Sequence, residues 1–105
     1  MNELDITTDG PTLLLSGDFD VRSTGVVRSA IYDRLWSADG DLTIDLHGVD
    51  SVDLTALKVL AAASRRAIRA GRHIVLRGAT PPVLRMLYLS HLIRLVELER
   101  DHAVA

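Results

Sequence analysis

Leu42, Ile44 and Leu46 alternate with Thr43, Asp45 and His47. This period of two defines a strand over residues 41–47 with one buried and one more polar face. From residue 54 to 70 the period becomes helical. Leu57, Leu60, Ala61, Ser64 and Ile68 share one face, while Lys58, Arg65, Arg66 and Arg69 lie mostly on the other. Gly71 stops that helix, and Ile74-Val75-Leu76 marks a strand over residues 72–77. Strand, helix, strand in this order is a crossover unit joining parallel strands, right-handed in nearly all proteins. It constrains the chain more than any other stretch, because a parallel pair needs a sheet with its crossover helix packed on a face.

The remaining elements fit around that unit. Residues 4–8 and 12–16 form two strands joined by the turn Asp9-Gly10-Pro11, an antiparallel hairpin that makes the sheet mixed. Gly17-Asp18-Phe19-Asp20 closes the second strand, and Asp20 is placed to cap a helix over residues 21–36. Val27, Ile31 and Leu35, with Val26 and Ala30, give that helix its spacing. Ser37-Ala38-Asp39-Gly40 ends it, with Gly after the helix. Residues 48–52 read as a loop. Thr80 is a candidate N-cap for a third helix that opens at Pro81-Pro82 and runs to residue 89. Residues 96–98 are a last strand and residues 100–105 a frayed tail. The 105 residues make one domain, with a core over about 4–99.

Bulk properties exclude several function classes. A net charge of -2 leaves no basic footprint for nucleic acid. The chain has no cysteine, so disulfides, thiolate metal sites and a Cys nucleophile are ruled out. No apolar run approaches the ~18 residues of a membrane span. Met1-Asn2-Glu3-Leu4-Asp5 lacks the basic and apolar regions of a signal peptide, which predicts a cytoplasmic protein. His47, His73, His91 and His102 show neither an i, i+4 pair nor H-E-x-x-H. There is no G-x-S-x-G elbow, and nothing fixes His47 and Ser51 as a catalytic pair. Gly71 and Gly78 stand alone, so no glycine-rich loop cradles a phosphate. Neither a metal nor another cofactor is expected, and nothing points to an enzyme.

What remains is the junction Asp53-Leu54-Thr55. Asp50 and Asp53 are conceivable as paired carboxylates, but Asp before a helix more commonly caps it. On residue types alone, Asp53 is an N-cap and Thr55 a first-turn residue with its hydroxyl solvated or bonded to the backbone.

Four stretches together resemble the STAS domain of the bacterial anti-sigma factor antagonist (anti-anti-sigma factor) family, from Gly10 to about Leu98. Gly17-Asp18-Phe19-Asp20 is similar to its G-x-[LF]-D, and Leu42-Thr43-Ile44-Asp45-Leu46 to its central strand. Val49-Asp50-Ser51-Val52-Asp53-Leu54-Thr55-Ala56-Leu57 is similar to its switch motif V-x-x-[ILVM]-D-S-[ST]-G-L. Pro82-Val83-Leu84-Arg85-Met86-Leu87-Tyr88-Leu89-Ser90-His91-Leu92 is similar to its terminal helix. The resemblance implies an α/β fold: a single STAS-like domain with a mixed sheet of four to five strands and helices mainly on one face. It implies a partner surface at the start of the second helix, made here by Asp20, Asp50, Ser51, Asp53, Leu54, Ala56 and Lys58. It implies phosphorylation of Thr55 by an anti-sigma factor of GHKL-kinase type, release of the sigma factor by the unmodified form, and reversal by a phosphatase. A monomer or weak dimer is expected for the free chain.

Three positions depart from the motif. Leu54 stands for the usual Ser, Thr55 for the commoner Ser, and Ala56 for the usual Gly. A methyl at residue 56 stiffens the backbone and is expected to obstruct a kinase approaching the first turn. An alternative role is a non-phosphorylated STAS adaptor subunit of a lipid-transport ABC complex, using the same surface. The last helix, with Val83, Leu84, Met86, Leu87 and Leu89, is more apolar than one buried face requires.

Overall fold

The computed structural model describes residues 3–99; the expected tail, residues 100–105, lies outside them. In chain order the elements are β1 (Asp5–Asp9), β2 (Thr12–Phe19), α1 (Thr24–Ser37), β3 (Leu42–Val52), α2 (Leu54–Arg69), β4 (Ile74–Arg77) and α3 (Pro81–Leu89). A 3-10 turn (Leu92–Leu95) and β5 (Glu97–Leu98) follow. Among the described residues, five strands lie side by side in sequence order. β1 and β2 are antiparallel, and every later pair is parallel, as the crossover unit requires.

One apolar core joins the layers. Leu13, Leu15 and Phe19 of β2, Leu42, Ile44 and Leu46 of β3, and Ile74 and Leu76 of β4 point into it. Val27, Ile31 and Leu35 of α1 meet them there, with Leu57 and Leu60 of α2 and Val83 and Leu87 of α3. The three helices therefore cover the apolar sheet face, and the Thr43-Asp45-His47 face is left to polar groups. Ile68, predicted on the inward face of α2, is exposed instead. Its helical phase puts Ala67 into the core after Leu60 and Ala63.

The strands run further than the alternation suggests. Residues 48–52, read as a loop, continue β3, and β2 reaches Phe19. Two register shifts between these strands, at Leu14/Ser16 and Gly17/Asp18, break the simple alternation while pairing continues to Phe19 and Val52. Gly48 makes this possible, since a Cβ there would stand 2.7 Å from the Cβ of Ser16.

The predicted ends of α1 also change. Asp20 does not cap it; the helix starts at Thr24 with Ser23 as the N-cap residue. The Asp20 carboxylate instead accepts from the Arg22 backbone N–H (3.0 Å) and guanidinium (2.7 Å). That local turn consumes the residues expected to be the first helical turn. At the other end the backbone is already extended at Ala38, so Gly40 is not the terminating residue. The Arg72 guanidinium takes the carbonyls of Leu35, Ala38 and Gly40 and closes the helix end from outside. Thr80 does occupy the N-cap position of α3, but its hydroxyl donates to the Val49 carbonyl (3.4 Å) and caps nothing.

On the open sheet face, buried Asp45 accepts from the His47 N–H (2.9 Å), the His47 ring (3.0 Å) and the Arg77 guanidinium (2.9 Å). Burial acts to raise its pKa, but these hydrogen bonds outweigh it and hold the carboxyl below its ordinary value. A depressed carboxylate stabilises the fold above the unfolded value near 4, and that contribution is lost as pH falls through the folded value. Asp45→Asn should therefore lower stability by about 1–2 kcal/mol at pH 7 and by much less near pH 3. Urea melts at both pH values check this, and an equal loss at both would show that the charge is not what matters.

Candidate functional site

The site is built where β3 turns into α2. Val52 ends the strand, and Asp53 sits in extended conformation as the N-cap. Its Oδ1 accepts from the Ala56 N–H (2.8 Å), satisfying one of the open donors of the first turn. Its Oδ2 accepts from the Val21 N–H (3.0 Å), thirty-two residues back in the chain. One carboxylate thus caps α2 and fastens the loop between β2 and α1 to it. A second link lies beside it: the Ser51 hydroxyl donates to Asp18 Oδ1 (2.8 Å) where β2 and β3 pair.

Thr55 is exposed on the first turn of α2, and so is Lys58 one turn on. Asp50 and Ser51 are exposed on the last part of β3. Leu54 is 41% exposed, an apolar side chain amid these polar groups. Ala56 is 0% exposed. Its methyl faces the core, so it does not obstruct a body approaching the first turn, and Ala56 offers only its N–H, to Asp53. Asp20 lies in the loop held by Val21. The Arg22 guanidinium, hydrogen-bonded to it, keeps its carboxyl below the ordinary value. The fold thus brings Asp20, Asp50, Ser51, Asp53, Leu54, Thr55 and Lys58 to one end of the domain.

Sequence reasoning missed Asp18, Val21 and Arg22. Asp18 had a signal, being a carboxylate within the closing motif of β2. Val21 had none, because it contributes a backbone N–H and its exposed side chain marks only a surface position. Arg22, two residues from Asp20, was legible as a local ion pair.

Acidic side chains dominate this end, and the helix N-terminus adds a partial positive charge at its centre. A phosphoryl group on Thr55 would meet both: the dipole and free N–H groups of the first turn, and the carboxylates around them. Among the described residues, no group of three or more His, Asp or Glu side chains is arranged to hold a metal ion. No helix among them is long and apolar enough to cross a membrane.

Replacing Asp53 separates its two roles. Asp53→Ala should lose both hydrogen bonds and about 1–2 kcal/mol of stability. Asp53→Asn keeps an acceptor for the Ala56 N–H but loses one for Val21, so it should recover about half of that. An Asp53→Asn midpoint equal to that of the parent chain would show that the Val21 contact contributes nothing.

The sequence profile described as Mlab, STAS domain, matches residues 2–97. A search of curated protein sequences finds no significant match. Among solved structures, a candidate anti-sigma factor antagonist of Thermotoga maritima superposes with a TM-score of 0.76 at 17% identity, covering 95% of this chain and 88% of that one. An anti-sigma factor antagonist of Mycobacterium paratuberculosis gives 0.74 at 19% identity, covering 97% and 88%. The antagonist SpoIIAA in its unphosphorylated form gives 0.72 at 13% identity, covering 94% and 90%. SpoIIAA in its phosphorylated form, a Bacillus protein, gives 0.66 at 12% identity, covering 94% and 93%. At these identities the superpositions establish the shared fold.

Proposed function

The chain belongs to the STAS-domain family, and from that premise we propose that it is an anti-sigma factor antagonist. It is a binding protein without chemistry of its own. In this reading it docks the start of α2 on a cytoplasmic anti-sigma factor of GHKL-kinase type, and the sigma factor held there is released. The observation that carries the reading is the exposed Thr55 hydroxyl, one residue beyond the start of a helix whose entry Asp53 fixes from two sides. Its structural neighbours include proteins described as anti-sigma factor antagonists, one of them in both unphosphorylated and phosphorylated form.

The switch chemistry is a phosphoryl transfer. The Thr55 oxygen attacks the γ-phosphorus of ATP, ADP leaves, and the hydroxyl proton passes to a base of the kinase. The kinase supplies Mg-ATP and that base, so the chain needs only to present the hydroxyl. Asp53 fixes the loop and first turn, Leu54 supplies apolar contact, and Asp20, Asp50, Ser51 and Lys58 make the polar rim. A phosphatase hydrolyses the phosphoester and returns the chain to its binding form.

The test is incubation of the full chain with candidate anti-sigma kinases and Mg-ATP, followed by intact mass and site mapping. One added phosphoryl group at Thr55, with loss of the complex, is expected. A kinase that binds the chain but leaves Thr55 unmodified would overturn the switch. In that case capture of a transporter ATPase subunit by the unmodified chain would identify a lipid-transport ABC adaptor.

A further inference from the structure

The other end of α2 carries a surface of opposite character. Trp36, in the last turn of α1, is 79% exposed. Tyr32 lies one turn before it, so the two rings share a helix face. Across from them stand Ala67 of α2 and Ala70 just past its end, small enough to leave a cleft of about 80 Å³ floored by Leu35. That is several times the roughly 10–15 Å³ that one water needs, room for one apolar side chain. Among the described residues, the charged side chains lining the cleft are Arg66 and Arg72, and no carboxylate lines it. Arg66 lies over the Tyr32 ring at 5.4 Å, and Arg72 is pinned by carbonyls at the end of α1. No ion pair joins either arginine to a carboxylate among the described residues.

We propose that this cleft is a second docking site, taking a short acidic peptide segment of a partner that inserts one apolar side chain beside Trp36. The charge decides the occupant: Arg66, held over a ring, leaves acceptor groups to be supplied from outside, and Arg72, whose nitrogens donate to carbonyls, adds a second fixed positive charge beside it. An exposed indole edged by arginine has the composition of a binding hot spot. A membrane surface fits less well. The cavity is recessed between two helices, and its lining exposes a single large apolar side chain where interfacial insertion needs an apolar face. Arg66 is eleven residues along α2 from Thr55, roughly 16 Å at 1.5 Å per residue. The cleft therefore does not overlap the switch surface, and a partner bound here remains through a cycle of modification at Thr55.

Trp36 is the sole tryptophan, so its emission reports on the cleft alone. The probe is a short synthetic peptide with one Phe among Asp and Glu residues, labelled for anisotropy as well. Two control peptides replace the Phe by Ser or the acids by Lys. Saturable binding of the acidic Phe peptide with a blue shift of Trp36 is expected, weakened about tenfold or more in either control. Trp36→Ala and Arg66→Glu should weaken it comparably by anisotropy, with unchanged circular dichroism. Thr55→Glu should leave it unaltered. No saturation at roughly millimolar peptide overturns the proposal. So does equal binding of the Lys peptide, or a blue shift given only by anionic phospholipid vesicles. Failure of Thr55 phosphorylation would bear on the switch and leave the cleft untouched.

Discussion

Phosphate on Thr55 is expected to weaken kinase binding by about a hundredfold or more while leaving the melting temperature nearly unchanged. Two effects of opposite sign meet at that position. The phosphate carries about -1.5 to -2 charges at neutral pH. At the N-terminus of α2 the helix dipole and open N–H groups favour it by roughly 0.3–1 kcal/mol, so the free domain tolerates it. In a complex the same group stands inside an interface fitted to a hydroxyl, beside Asp53 and on the same end of the domain as Asp20 and Asp50. Like-charge and steric conflict there costs several kcal/mol, and each ~1.4 kcal/mol is tenfold in affinity. The interface effect exceeds the dipole effect, so binding is lost and the fold is kept. Thr55→Glu carries about one charge where phosphate carries up to two, so it should reproduce the loss in part, by about tenfold. Thr55→Val, which removes the hydroxyl without adding charge, should bind the kinase nearly as well as the parent chain and accept no phosphate. Calorimetric titration of the unmodified chain and these three forms against one kinase reads all of this. Equal affinity of the phosphorylated and unmodified chains would refute the switch.

The fold was legible wherever burial imposes a period. Leu42, Ile44 and Leu46 had to face one way, and Leu57 and Leu60 had to face them. Gly71 and the hairpin turn at Gly10, both at positive φ, were equally plain. Hidden features were those where a backbone group or a distant side chain decides the outcome. Residues 48–52 look like a loop because two register shifts break the alternation, and only the pairing partner shows that the strand goes on. The start of α1 moved to Thr24 because Asp20 finds Arg22 two residues on, a competition that capping preference alone does not weigh. Its end is held by Arg72, which no local reading of residues 37–40 can supply.

The candidate site was legible in its cap and obscure in its bracing. A carboxylate just before an apolar helical run reads directly as an N-cap, and Asp53 is one. That its second oxygen holds the Val21 N–H was not readable, since a backbone donor leaves no trace in residue type. Ala56 shows the reverse failure. Its place in the motif suggested a methyl in the path of the kinase, yet the helical phase that buries Leu57 and Leu60 also turns Ala56 inward. The substitution is thus compatible with an open first turn.

Phe19→Ala is expected to cost about 3–5 kcal/mol, a large share of the ~5–15 kcal/mol that holds a domain of this kind together. Phe19 is the chain's only phenylalanine and is 0% exposed at the end of β2, paired with Val52 at the end of β3. Truncation removes its burial and leaves a cavity that the sheet cannot close, because residue 19 is fixed by the ladder on one side and by the loop carrying Val21 on the other. At a urea dependence of about 1–3 kcal/mol per M, the midpoint should fall by roughly 2 M. Phe19→Leu, which keeps an apolar group in the space, should cost less than half as much. The two variants also separate stability from function. If the end of β2 positions the loop that Asp53 fastens, Phe19→Leu should remain folded at room temperature and yet bind the kinase more weakly, since a shift of the loop misplaces Asp20 while Thr55 stays on α2. A Phe19→Ala loss under about 1 kcal/mol would mean that the core relaxes into the space left by the ring.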